Sequence, residues 1–192
     1  MLENKAVQEA TTRLNSARSD YNSQQSSKTD KENDLSKDYG ENDIFRPLKG
    51  KCVSLDAGEY TYELCHMDKI TQKSKKNGAH SNNHMGNFNA FDKITVNEEI
   101  RADGKGLGSG ERLAMRYENG AHCWNGPNRS VMVVLACAEN EEVWKVTEEE
   151  KCVYRMDVGT PAVCEDPAAA KSAGAGVIAE KEVGAGLGRD EL

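Results

Sequence analysis

Hydrophobic and polar positions divide this chain into three stretches with different periods. Near the start, Val7, Ala10, Leu14, Ala17 and Tyr21 recur at spacings of three and four, as on one face of a helix. The stripe covers about two heptads, fewer than the three or four that define a coiled coil. It predicts a helix over roughly residues 2–24 that needs a partner, or further upstream chain, for stability. From Ser23 to Asp43 the composition is dominated by Ser, Gln, Lys, Asp, Glu and Asn, with a single Leu. Such a segment buries too little apolar surface to offset its ordering entropy, so residues 1–43 read as a helical segment followed by a charged linker.

The period changes at Ile44-Phe45. Tyr60–Cys65 and Asn87–Phe91 alternate around aromatic and branched side chains, while Ser130–Ala136 is a continuous apolar run of strand length. The first two patterns are half-buried strands and the third is a strand buried on both faces. Glu142–Thr147 and Val153–Met156 add to a set of seven to nine strands. Between them lie Asn77-Gly78, Asp103-Gly104, Asn119-Gly120 and Gly126-Pro127, dipeptides that favour turns for stated backbone reasons. Residues 44–164 therefore read as an all-β domain, a flattened antiparallel barrel or sandwich. Residues 165–192 are dominated by Ala and Gly and read as a flexible tail.

Composition sharpens this picture. The net charge of −7 argues against nucleic acid, whose phosphates demand a basic face. No apolar run approaches the roughly 20 residues of a membrane span. All six cysteines fall between Cys52 and Cys164, at spacings of 13, 58, 14, 15 and 12. An even number without Cys-x-x-Cys pairs points to disulfides formed in an oxidising compartment, and 15 pairings are open. The chain ends Arg189-Asp190-Glu191-Leu192, a close variant of the Lys-Asp-Glu-Leu retrieval signal. Together these place it in the endoplasmic reticulum lumen, with the retrieval receptor as one partner. The opening residues lack the apolar core of a secretory signal, so the chain is expected to be the C-terminal part of a longer protein.

Three motifs carry less than they suggest. Gly104, Gly106, Gly108 and Gly110 lack the Gly-Lys-Ser/Thr of a phosphate loop and read as a hairpin connection. His80 and His84, set among Asn, Gly and Ser, read as exposed loop histidines. The cysteine spacings do not suit zinc, and neither a metal nor any other cofactor is expected.

More specific is a set of blocks: Gly58–Cys65, Thr71-Gln72-Lys73, Cys123-Trp124-Asn125-Gly126-Pro127-Asn128-Arg129-Ser130, and Glu148 followed by Cys152 and Tyr154. Over roughly residues 38–164 these resemble the mannose 6-phosphate receptor homology (MRH) domain family, and within it the group found in glucosidase II β subunits. The chain departs from the family pattern at His66-Met67, where Pro and an aromatic residue are expected, on the loop leading to Gln72. The resemblance implies a lectin whose mannose site uses Gln72, Arg129, Glu148 and Tyr154, with Trp124 and Tyr60 as walls. It also implies the pairings Cys52–Cys65, Cys123–Cys152 and Cys137–Cys164. The chemistry suits mannose, a neutral ring carrying vicinal hydroxyls that both donate and accept. Arg129 offers a fork of donors and Glu148 two acceptors, in charge-assisted bonds stronger than neutral ones, and an aromatic face packs against the ring.

By the same resemblance the chain would be a non-catalytic subunit that binds mannose on high-mannose N-glycans while a glucosidase II α subunit trims glucose. Glycoside hydrolysis takes two opposed carboxylates, and the inferred site has one. Two other readings differ in a testable way: a luminal lectin delivering misfolded glycoproteins to degradation, and an adaptor indifferent to sugar. The first would carry a tandem Trp pair, which neither Trp124 nor Trp144 forms.

Overall fold

A computed structural model describes residues 4–76 and 82–165. The described chain separates into two units, residues 1–43 and 44–192. The first is dominated by helix α1, Lys5–Leu35. It runs well beyond the apolar stripe, so the segment from Ser23 to Leu35 is helical where composition had suggested a linker. The reason is local. The Asn4 side chain accepts from the Ala6 amide at 3.1 Å and caps the first turn, and Lys28 pairs with Glu32 at 3.4 Å one turn on. Neither Gly nor Pro interrupts residues 5–35, and polar residues alone do not break a helix. No residue of α1 is buried.

The second unit is a single eight-stranded sheet in the order β1-β2-β3-β4-β5-β6-β8-β7. Its strands are β1 (Cys52–Ala57), β2 (Tyr60–Cys65), β3 (Lys69–Ser74), β4 (Asn82–Asn97), β5 (Ser109–Asn119), β6 (Ser130–Cys137), β7 (Glu142–Glu150) and β8 (Val153–Thr160). The outer strands β1 and β7 approach each other, leaving a nearly closed, barrel-like sheet. Neighbours pair antiparallel except β6 and β8, which run parallel from Ser130↔Val153 to Cys137↔Thr160. The β7–β8 hairpin folds back so that its second strand, not its first, lies beside β6. Asn87–Phe91, read as a strand of its own, is the middle of the 16-residue β4. His84 lies in the same strand, half-buried opposite Thr71, not in an exposed loop. Asn77-Gly78 and His80 lie outside the described residues, as does the tail from residue 166 with its retrieval sequence.

Strand β6 is buried on both faces, as its continuous apolar run implies. Val131, Val133 and Leu135 enter the main core with Phe45, Leu64, Ile70, Met85, Met115, Tyr117, Met156 and Val158. The alternate residues Val134 and Ala136 join Val96 and Leu107 in a second, smaller cluster flanked by Met132 and Trp144. The Gly-rich segment lies in the β4–β5 connection, the hairpin role its composition suggested.

Disulfides join Cys52 to Cys65, Cys123 to Cys152 and Cys137 to Cys164. Each closes a loop of 13 to 29 residues, and such a bridge stabilises by about 3 kcal/mol in the chain-entropy picture. No helix among the described residues is long and apolar enough to cross a membrane.

Candidate functional site at one end of the sheet

Alternation along β2 turns Tyr60, Tyr62 and Leu64 toward one face, and the Tyr60 and Tyr62 rings meet edge to face at 6.3 Å. Tyr62 pairs across the sheet with Gln72 of β3. There the buried Gln72 amide donates to the Tyr62 hydroxyl at 3.0 Å, and Asn83 of β4 donates to the Gln72 carbonyl oxygen at 3.0 Å. Gln72 therefore has its orientation fixed from two strands. On the far side, Glu148 of β7 and Tyr154 of β8 are register partners. Glu148 accepts from the Cys152 backbone amide at 2.8 Å, which holds the tight hairpin turn where Cys152 sits at φ 64°.

Electrostatics tie the two halves together. The Tyr154 hydroxyl is held above the usual tyrosine range, first by burial and then by the charges of Glu148 and Tyr62, against an opposing pull from Arg129. These groups thus act electrostatically on one hydroxyl. Tyr154 is 6% exposed and Gln72 likewise 6%, whereas Glu148 is exposed and Arg129 half-buried. The result is an inner polar floor with charged groups at its rim.

Arg129 is positioned by backbone. The Arg129 and Gly120 amides exchange bonds with the 120–121 segment: Gly120 N donates to Arg129 O at 2.9 Å and Arg129 N to Ala121 O at 3.1 Å. Its Nη1 donates to the Ala121 and His122 carbonyls at 3.3 and 3.1 Å. Three strands of chain crowd together here. A Cβ on Gly120 would stand 2.6 Å from both Arg129 O and Met85 C, so position 120 admits only glycine without backbone movement. The Arg129 Nε is buried and has no hydrogen-bond partner among the described residues. The Cys123–Cys152 disulfide links the segment bearing Arg129 to the hairpin bearing Glu148 and Tyr154.

Of the residues read from the sequence, Gln72, Arg129, Glu148 and Tyr154 fall into this one cluster, and Tyr60 flanks it through Tyr62. Trp124 stands apart: it is 86% exposed, and Lys151 Nζ lies 5.3 Å above its ring. Sequence reasoning missed Tyr62 and Asn83. Tyr60 came from the resemblance, while the alternation along β2 carries Tyr62 one step deeper on the same face. Asn83 carried no signal. At the departure from the family pattern, His66 is 1% exposed and its Nε2 lies 3.1 Å from Glu141 Oε2. A buried imidazole thus lies beside a half-buried carboxylate there. No group of three or more metal-binding side chains exists among the described residues.

The sequence model described as "Glucosidase II beta subunit-like protein" matches residues 10–183. The chain belongs to the glucosidase II beta subunit-like family. Glucosidase 2 subunit beta of Mycosarcoma maydis is 39% identical over 142 residues, 74% of this chain and 23% of that protein. The Homo sapiens glucosidase 2 subunit beta is 34% identical over 134 residues, 70% of this chain and 22% of that protein. The chain thus spans under a quarter of the length of these family members. A crystal structure of the MRH domain of glucosidase II beta bound to mannose is 29% identical, with a TM-score of 0.44 over 62% of this chain and 99% of that one.

Proposed function

We propose that this chain is the lectin part of a glucosidase II β subunit, and that the cluster above binds a terminal mannose of an N-glycan. What supports this reading is the chain of links from Gln72 to the Tyr62 hydroxyl, and from Tyr62, Glu148 and Arg129 electrostatically to Tyr154, the register partner of Glu148. Arg129 and Glu148 supply donors and acceptors to adjacent hydroxyls, the Gln72 amide bonds a third, and Tyr154 forms the floor. Tyr60, flanking the cluster through Tyr62, is the apolar surface available to the sugar's C–H face. The Cys123–Cys152 bridge keeps the two halves in place before sugar arrives, which lowers the entropic cost of binding.

In this reading residues 1–43 are a helical segment, 44–164 the lectin domain, and 165–192 a tail whose Arg189-Asp190-Glu191-Leu192 keeps the complex in the endoplasmic reticulum. The chain does no hydrolysis itself. Holding one branch of a glycan raises the local concentration of another branch at the α subunit, without altering the chemistry there. Glucose trimming by a complete α/β complex tests this. Arg129→Ala should slow trimming of glycans with intact mannose branches and leave a mannose-free glucoside unaffected. Equal rates for wild type and variant on both substrates would refute the proposal, and recovery of the chain with a ubiquitin-ligase complex in place of an α-glucosidase would favour delivery to degradation.

A further inference from the structure

On β7 and β8, three register steps from the Glu148–Tyr154 pair, Lys145 is the partner of Asp157. Tyr154, Met156 and Val158 of β8 enter the main core, so Arg155, Asp157 and Gly159 turn to the other face. The β4–β5 connection packs over that face. Between them is a cavity of about 200 Å³ lined by Glu98, Glu99, Arg101, Trp144, Lys145 and Asp157. None of these residues belongs to the mannose cluster.

The cavity is built from held groups. Asp157 is only 5% exposed. Arg155 donates from Nε to Asp157 Oδ1 at 2.9 Å and from Nη2 to Glu98 Oε1 at 2.6 Å, and lies 3.6 Å from Glu149. One guanidinium therefore fixes two carboxylates of the lining, leaving Glu98 Oε2 and Asp157 Oδ2 as acceptors. The Trp144 indole is fixed as well. Its ring lies against Gly159, where a Cβ would collide with it.

We infer that this cavity is a second carbohydrate subsite, for one neutral hexose ring. The lining mixes Glu98, Glu99 and Asp157 with Arg101 and Lys145, so neither a phosphate nor a metal cation meets a field of one sign. A ring dense in hydroxyls uses both signs, and a fixed indole offers the flat apolar wall that the ring's C–H face needs. The volume lies below the roughly 300–1,000 Å³ of sites for drug-sized ligands, which restricts the occupant to a single ring. The inference does not require the mannose cluster to work, although both would serve a branched glycan.

The chain has two tryptophans, Trp124 and Trp144, hence two indole N–H signals in a ¹H–¹⁵N spectrum, and only that of Trp144 belongs to a residue lining this cavity. Arg129→Ala protein is titrated with methyl α-mannoside and, separately, methyl α-glucoside. The expected result is a saturable shift of the Trp144 signal with at least one sugar, in the millimolar range. Glu98→Gln and Asp157→Asn should each weaken that binding by about three- to tenfold, with the Trp144 signal still dispersed as in the parent. An unmoved Trp144 signal with both sugars overturns the inference. So does a Trp144 shift seen in wild type and abolished by Arg129→Ala, because the cavity would then merely report on the mannose cluster. Wild-type titration keeps the two readings distinct: shifts at Tyr154 and Gln72 without any at Trp144 would leave the proposed function standing and remove only the second subsite.

Discussion

Helix α1 and the β unit are stabilised in opposite ways. The helix has 31 residues and buries none of them, so it depends on propensity, an Asn4 cap and surface ion pairs worth a few tenths of a kcal/mol each. The β unit is polar by composition yet concentrates its apolar residues in two clusters joined by a strand buried on both faces, and is cross-linked three times. Regular local structure can thus form from sequence alone, while a binding site requires the long-range order that packing and disulfides supply.

The contrast can be broken first at Leu135. It is 1% exposed in the main core, and Leu135→Ala should cost about 2–5 kcal/mol in chemical denaturation. A loss under 1 kcal/mol would mean that β6 is not the shared wall of both clusters.

A smaller effect is expected at Glu141. Burial pushes its pKa up, but the neighbouring His66 ring and a hydrogen bond from Thr160 outweigh this and leave its pKa below the ordinary carboxylate value. A carboxylate depressed in the folded state contributes stability above its unfolded pKa, about 4.3, and loses it as pH falls through the lower folded value. The β unit should therefore weaken as pH drops below about 4, and Glu141→Gln should flatten that part of the profile. An unchanged acid limb in the variant would remove Glu141 from the titration. Smallest of all, Leu14→Ala on the exposed helix stripe should shift stability of the isolated chain by no more than about 0.5 kcal/mol. A larger loss in thermal unfolding would show that the stripe is covered in solution.

These regions also differ in how far the sequence revealed them. Alternation and apolar runs located most strands, and the block around Arg129 with the Glu148–Tyr154 spacing led to four residues that the fold brings together. The end of α1 was missed because polar composition was read as linker, although residues 25–35 contain no helix breaker and include an i,i+4 ion pair. The parallel pairing of β6 with β8 was not legible, since a short hairpin such as β7–β8 says nothing about which of its strands docks on a third. Tyr62 escaped notice because a buried tyrosine in a strand is indistinguishable from ordinary core until Gln72 is seen bonded to its hydroxyl. The cavity beneath the β4–β5 connection depends on the fold-back of a Gly-rich loop, and such a loop carries no periodic signal.

Calorimetric titration of the purified chain with mannose, comparing wild type with Arg129→Ala and Glu148→Gln, tests the sugar site most directly. Millimolar or tighter binding by wild type, weakened at least about tenfold in each variant at unchanged thermal midpoint, is the predicted result. Binding of equal strength by all three proteins, or by none of them, would contradict it.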